Sequence, residues 1–410
     1  FRIPNMQGTI FVSLAIALAA FLFFKRTQYQ SWQRCSRRRT GLVIEGKDLQ
    51  EQPWPSSMGH PGNQGNSKHA GPKNFTEALS WSWSDPRGRF LVPGHGGTVL
   101  DHHKNIYLAG NAAILKFSPD GGHLWSYFPM VHCGAPGPGL LMKAPCLWGN
   151  AVFGVTEQGS AFAVDMETGV EIWSTQYIDM SQVMQKSQFL VNSGIPQVSE
   201  GVLVAGEFRT VHGINATDGV VLWVFKPDGA LWSFKADFPG DGTFVFQTYE
   251  GKAYRCRLHD GSVVWSAGGR RGTWTNGNIA LGPNRIVYAV NTVWMKEEPQ
   301  PTRFSLDYLF QGERGELTAF ALEDGKRLWT YALKKPPNNA PVIGRLSPGA
   351  GYSVIQPIGQ QNRWGEQYFV YAMNAETGVL QWIFNGPKQR GLHQAASDLT
   401  WKDQSRISPA

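Results

Sequence analysis

Apolar and polar residues alternate in short runs over most of the chain, and each run stops at a turn signal. Ala-Phe-Ala-Val (161–164) runs into Asp165 and then Thr168-Gly169, and Leu-Thr-Ala-Phe (317–320) runs into Asp324-Gly325. Period-two runs this short, closed by Gly, Asn or Asp, predict strands and not helices. Another apolar run stands ahead of most of these, as in GNAVFGVTEQG (149–159), EGVLVAGEF (200–208), GTFVFQTYEG (242–251) and NRIVYAVN (284–291). Each unit therefore supplies about four strands.

The unit recurs six times, as ILKFSPDGGHLW (114–125), AFAVDMETGVEIW (161–173), VHGINATDGVVLW (211–223), AYRCRLHDGSVVW (253–265), LTAFALEDGKRLW (317–329) and VYAMNAETGVLQW (370–382). A glycine stands four positions before a tryptophan in every copy: Gly121/Trp125, Gly169/Trp173, Gly219/Trp223, Gly261/Trp265, Gly325/Trp329 and Gly378/Trp382. Glycine accepts positive φ at low cost, so the strand reverses there into a second strand that ends on the tryptophan. The Trp-to-Trp spacings of 48, 50, 42, 64 and 53 residues each fit one four-stranded sheet. Sheets arranged radially bury their faces on their neighbours. Each tryptophan is accordingly expected to dock structurally in the adjacent sheet, its indole N–H meeting a backbone acceptor, in preference to stacking on a ligand.

The pattern A-x-D-x-x-T-G-x-x-x-W, nearly complete in AVDMETGVEIW and AMNAETGVLQW, resembles the tryptophan-docking repeat of pyrroloquinoline-quinone (PQQ)-like propellers. That family includes quinoprotein dehydrogenases and the outer-membrane assembly lipoprotein BamB. The resemblance covers roughly 80–385 and implies an all-β propeller over 76–410, most readily of seven blades within a range of six to eight. LSWSW (79–83) is expected to be an isolated outer strand, bearing Trp81 or Trp83, that pairs with residues after Trp382 and fastens the ring. The tail after Asn385 reads as the start of a further blade that is cut off.

Upstream, Thr9 to Phe24 reads TIFVSLAIALAAFLFF, sixteen uncharged residues, short for a full span but sufficient with interfacial flanks. Lys25-Arg26 and Arg34 to Arg39 follow this run, whereas a cleavable signal carries its charge in front. The reading is a retained single-pass anchor over 1–39, with a cleavable signal as its rival. The positive flank then favours the propeller on the cytoplasmic or organellar-interior side, with the exported side as the alternative. Lys25, Arg26, Arg37, Arg38 and Arg39 are candidates for contact with anionic lipid. Residues 40–75, rich in Gly, Pro, Ser and Asn, read as a flexible linker that lets the propeller stand off the membrane.

The net charge of +7 loses its meaning once located: seven cations (Arg2, Lys25, Arg26, Arg34, Arg37, Arg38, Arg39) precede Glu45, the first acid. The remaining 31 cations match the 31 acids, which argues against a basic face that grips nucleic acid. Cys35, Cys133, Cys146 and Cys256 form no C-x-x-C pair; a Cys133–Cys146 disulfide and four reduced thiols are both open. The sequon at Asn215 lies inside a repeat turn, where Asn and Thr belong for turn reasons; a second sequon starts at Asn74.

Catalytic signatures are missing. There is no G-x-S-x-G, H-E-x-x-H, P-loop or G-x-G-x-x-G followed by a helix. Asp101-His102-His103 is the one metal-like cluster, and no third ligand is near it in sequence. The resemblance implies that a quinoprotein would need a calcium ion held by carboxylates and amides and, in many members, adjacent cysteines, which this sequence lacks. Specific function is expected where the chain departs from its repeat. One insertion, between Val290 and Leu317, carries Trp294, Phe304, Tyr308 and Phe310 as candidate partner anchors. Another, 175–194, carries Met180, Met184, Phe189 and Leu190. The rival for both is packing on the propeller rim. The leading expectation is a membrane-tethered scaffold or accessory subunit that binds proteins through one face, without catalysis or cofactor. The alternatives are a quinoprotein-type oxidoreductase binding PQQ and calcium, and a luminal sensor domain.

Overall fold

The computed structural model describes residues 37–38, 41–45, 52–59, 67, 71–74, 77–85, 97–110, 112–129, 141, 143–178, 194–232, 234–270, 272–275, 277–294, 313–337, 339–359 and 367–388. Among these residues all regular structure is strand, and no helix is long and apolar enough to cross a membrane. The proposed anchor run 9–24 lies outside the described residues.

Six antiparallel sheets follow one another along the chain. The first contains Thr98–Leu100, Ile106–Ala109, Ile114–Phe117 and His123–Tyr127. The second contains Cys146–Trp148, Ala151–Val155, Ser160–Asp165 and Glu171–Gln176, and the third Gln197–Ser199, Val202–Gly206, Val211–Asn215 and Val221–Phe225. The fourth contains Thr243–Gln247, Lys252–Arg257 and Val263–Gly268; its inner edge is a single bridge from Asp237 to Val245. The fifth runs Ala280–Leu281, Ile286–Trp294, Glu313–Ala321 and Arg327–Leu333, and the sixth Val342–Arg345, Tyr352–Ile358, Gln367–Asn374 and Leu380–Lys388.

The repeat seen in the sequence becomes a repeat in register. Each tryptophan of the motif faces one residue on the neighbouring strand, in the pairs Trp125↔Lys116, Trp173↔Ala163, Trp223↔Gly213, Trp265↔Arg255, Trp329↔Ala319 and Trp382↔Ala372. The register shifts by a bulge immediately after that residue in all six sheets. A bulge adds local twist, which turns the outer strand toward the next sheet. The core consists of apolar layers between successive sheets. Leu203 and Ile214 of the third sheet close on Trp173 and Ala163 of the second, and Tyr254 and Phe244 of the fourth close on Val204 and Trp223 of the third. Radial stacking of four-stranded sheets of this kind makes the chain an all-β propeller.

Two expectations change. The end of the basic flank and parts of the stretch read as flexible linker are packed. Arg37–Arg38 adds a strand to the outer edge of the second sheet, opposite Ser174 and Trp173, and Ile44 is buried beside Ile172 and Trp173. Further on, Trp54 O accepts from Leu100 N and Pro55 O from Leu147 N, both at 2.8 Å, so residues 52–59 line the inner edges of the first two sheets. Proline-rich composition permits disorder but does not impose it, because these carbonyls meet unpaired edge amides. Secondly, residues 79–83 carry no strand ladder. A strand needs a partner edge, and the residues expected to provide it, those after Trp382, pair as far as Lys388 with Gln367–Asn374, while the rest lie outside the described residues.

Candidate functional site

Strand direction sorts the connections into two ends. In each sheet the second-to-third turn and the passage to the next sheet leave at one end, here termed upper; the first-to-second and third-to-fourth turns leave at the lower end.

The lower end is built of tight turns. Asn215 Oδ1 accepts from Thr217 N at 2.9 Å and from Thr217 Oγ1 at 2.7 Å, and Asp165 Oδ1 holds Thr168 in the same way. The six motif glycines, Gly121, Gly169, Gly219, Gly261, Gly325 and Gly378, all sit at positive φ, between +70° and +91°. An indole covers each of them, and it comes from the preceding repeat: Trp81, Trp125, Trp173, Trp223, Trp265 and Trp329 in that order. A Cβ added to Gly219 would stand 2.6 Å from Trp173. Each of these indoles also donates into the turn it covers, to Pro119, Met166, Ala216, Leu258, Leu322 and Ala375 O, at 2.7 to 3.2 Å. Trp81 thus fills the place on the first sheet that the motif tryptophans fill elsewhere. Trp382 is 40% exposed, with no receiving turn among the described residues.

Asp101 belongs to a lower turn as well. Its carboxylate accepts from Asn105 N, Asn105 Nδ2 and Tyr107 OH, each at 2.8 Å. Burial, and then the neighbouring Asp101 carboxylate, hold the Tyr107 phenol well above its ordinary pKa. Asp101 is committed to fold chemistry, while His102 and His103 point into solvent.

The upper end differs in kind. The segments 130–140, 179–193, 295–312 and 360–366 connect strands at this end, and the second and third of them are the central parts of the two insertions singled out above. Trp294 closes the strand Ile286–Trp294, paired with Glu313, so the hairpin carrying the larger insertion keeps nine residue pairs. Phe304, Tyr308, Phe310, Met180, Met184, Phe189 and Leu190 lie outside the described residues.

Three aromatic rings gather here from the ends of the third and fourth sheets. Trp232, 43% exposed, stands 6.3 Å from Tyr249, which stacks on the buried Trp274 at 6.1 Å and 29°. Beside them a cleft of about 770 Å³ opens between the fourth and fifth sheets and runs from Gly269, Asn291 and Glu316 at the upper end to Gly325 and Arg327 at a lower turn. Arg270 closes its rim with a two-point contact to both oxygens of Glu316, at 3.0 and 3.1 Å. Sequence reasoning missed these rings because they are joined only by tertiary structure. The available signal was that Trp232 and Trp274 are tryptophans outside the motif position.

Buried charges complete the end. Lys143 is held below its ordinary pKa by burial, which the charge of Glu157 partly offsets. Lys235 and Asp237, almost fully buried, form an ion pair at 3.2 Å, and Asp237 Oδ2 also accepts from Leu281 N of the fifth sheet. Cys146 and Cys256 are buried thiols, and burial raises both, Cys256 to about 12; Cys133 lies outside the described residues. Among the described residues no three His, Cys, Asp or Glu side chains converge on a metal-sized site.

Residues 110–292 match the family described as "Outer membrane protein assembly factor BamB". The chain is 23% identical over 204 residues to the outer membrane protein assembly factor BamB of Yersinia pestis, covering 50% of this chain and 46% of that one. It is 26% identical over 255 residues to quinohemoprotein alcohol dehydrogenase ADH IIB of Pseudomonas putida, covering 58% of this chain and 34% of the enzyme. The solved quinohemoprotein alcohol dehydrogenase of Comamonas testosteroni aligns with a TM-score of 0.49 at 13% identity, over 72% of this chain and 59% of that one. The chain therefore spans less than half the length of either curated relative. The repeats of this propeller are thus similar both to those of an outer membrane protein assembly factor and to those of a quinohemoprotein alcohol dehydrogenase.

Proposed function

We propose that this chain is a membrane-tethered scaffold whose upper end binds protein partners. The observation that carries the reading is the separation of the two ends. The lower end consists of tight turns, and each third-to-fourth turn there is closed by a docked indole. The upper end gathers the long connections, the exposed Trp232 with its aromatic support, and the mouth of the cleft, closed by Arg270 and Glu316. Exposed aromatic and arginine side chains on a rigid frame are the usual anchors of protein interfaces. The likeness to a protein named as an assembly factor supports the same class. The motif tryptophans are read as structural, and the tether as the run 9–24 with the basic flank behind it, the propeller lying on the cytoplasmic or organellar-interior side.

The rival is a quinone-dependent oxidoreductase, favoured by the identity to the Pseudomonas putida enzyme. The donor set does not fit it. Of the described upper-end acids, Glu316 is engaged by Arg270, Asp237 by Lys235 and Leu281 N, Asp228 by Lys252 and Glu207 by Thr210, and although Glu250 Oε2 is buried without a partner, no three described acids converge to hold calcium.

A photo-crosslinking residue at Trp232 is expected to capture a discrete membrane-complex partner in native membranes, whereas one at Thr377 in a lower turn is not. Equal capture from both ends would sink the assignment of the face. Calorimetric titration of the full chain with PQQ and calcium is expected to give no saturable heat; saturable binding with alcohol-dependent dye reduction would establish the enzyme instead.

A further inference from the structure

The outer strands of the sheets are not alike on the side that faces away from the following sheet. The side chains at three residues before, one before and one after the motif tryptophan share that side. They read Gly122-Leu124-Ser126, Val170-Ile172-Ser174, Val220-Leu222-Val224, Ser262-Val264-Ser266, Lys326-Leu328-Thr330 and Val379-Gln381-Ile383 from first to sixth. Only the third sheet is aliphatic at all three. Val220, Leu222 and Val224 are 56%, 46% and 58% exposed, while Trp223 between them is buried against the fourth sheet. Folding leaves this stripe bare, though its members have the composition of core residues.

The neighbouring edge shows what lies close to it. The outer strand of the second sheet is covered by Arg37–Arg38, and that sheet abuts the third through the Trp173 indole, which donates to Ala216 O. The apolar run ends at Phe24. Twelve residues, 25–36, separate it from the tie at Arg37, a contour of at most about 40 Å. A propeller tied at this edge cannot range on a linker reaching to residue 75; the side bearing the second and third sheets stays near the bilayer. The register Val211↔Phe225 sets Arg209 and Lys226 together at the upper end of the stripe, both exposed and neither in an ion pair among the described residues. Aliphatic side chains flanked by cations suit the boundary between acyl chains and anionic headgroups.

We propose that the stripe Val220, Leu222 and Val224, with Arg209 and Lys226 at its end, lies on an anionic lipid surface and holds the propeller side-on to the membrane. The inference rests on the reading of 9–24 as the anchor. In that posture the propeller axis lies roughly along the membrane, and both ends of the ring remain open to the aqueous phase.

The test uses the full chain with Cys35→Ser and Cys133→Ser, in which the two remaining cysteines are buried. An environment-sensitive fluorophore is placed at Leu222→Cys or, as control, at Val379→Cys, and the protein is reconstituted into phosphatidylcholine vesicles with and without phosphatidylglycerol. The label at 222 is expected to shift to the blue and to be quenched by nitroxide on the acyl chains, more strongly with the anionic lipid, while the label at 379 does neither. Arg209→Gln with Lys226→Gln is expected to remove the dependence on anionic lipid while flotation with vesicles persists. Flotation without a shift at 222 overturns the stripe but leaves the anchor; failure to float overturns both. Protection of position 222 in native membranes but not in protein-free vesicles would assign the edge to a protein strand and also overturn the proposal.

Discussion

At the residue scale, the motif glycines and tryptophans act as pairs formed across two sheets, and this gives them measurable signatures. Gly219 and Gly240 have nearly the same backbone, φ +77° and +79°, but only Gly219 has an indole above it. Alanine at 240 should cost about 1 kcal/mol in backbone strain. Alanine at 219 should cost about 1–3 kcal/mol more, since its Cβ must displace Trp173. Urea unfolding of the two variants measures the difference, and equal costs would remove the docking interpretation. His212 makes a second prediction. It is buried, its Nε2 lies 2.6 Å from Thr210 Oγ1, its Nδ1 has no partner, and burial lowers its pKa to about 4. The unfolded chain binds a proton here at a pH where the folded chain does not. The stability from the neutral ring is therefore complete above about pH 6.5 and is lost as pH falls toward 4, to a total of about 3 kcal/mol. His212→Gln should flatten the stability profile across that window.

At the element scale, the outer edges of the sheets are exposed to pairing, and the chain covers one of them itself. Arg37–Arg38 closes the outer edge of the second sheet, and Trp54 and Pro55 accept from inner-strand amides of the first two sheets. Removing residues 1–59 should release these amides without unfolding the sheets. Hydrogen exchange is expected to speed up at Leu100 and Leu147, while Val204, in the middle of the third sheet, stays protected. Unchanged exchange at Leu100 and Leu147 would return 52–59 to the status of a linker. The same elements show why the sequence misled there. Proline and glycine limit what a segment does alone, but the acceptors it offers to another edge are invisible until that edge is placed.

At the scale of the whole molecule, stability is shared between neighbours, as expected for a radial array in which each sheet contacts only the next. Trp173 is fully buried beneath the third sheet, whereas Trp382 stands half-exposed at the last described sheet. Trp173→Ala should cost about 3–5 kcal/mol and Trp382→Ala clearly less. Equal losses would mean that a further sheet, built from residues beyond 388 and joined to the segment around Trp81, covers Trp382 in solution. The strands, their turns and the six-fold repeat were legible in the sequence because they depend on local alternation and on a glycine at fixed distance from a tryptophan, both short-range constraints. The pairing of each glycine with the tryptophan of the preceding repeat, the assembly of Trp232, Tyr249 and Trp274, the Arg270–Glu316 closure and the packed N-terminal segment were decided only by tertiary structure. Those contacts join residues far apart in the chain, and radial stacking of the sheets, which no local pattern encodes, sets which of them meet.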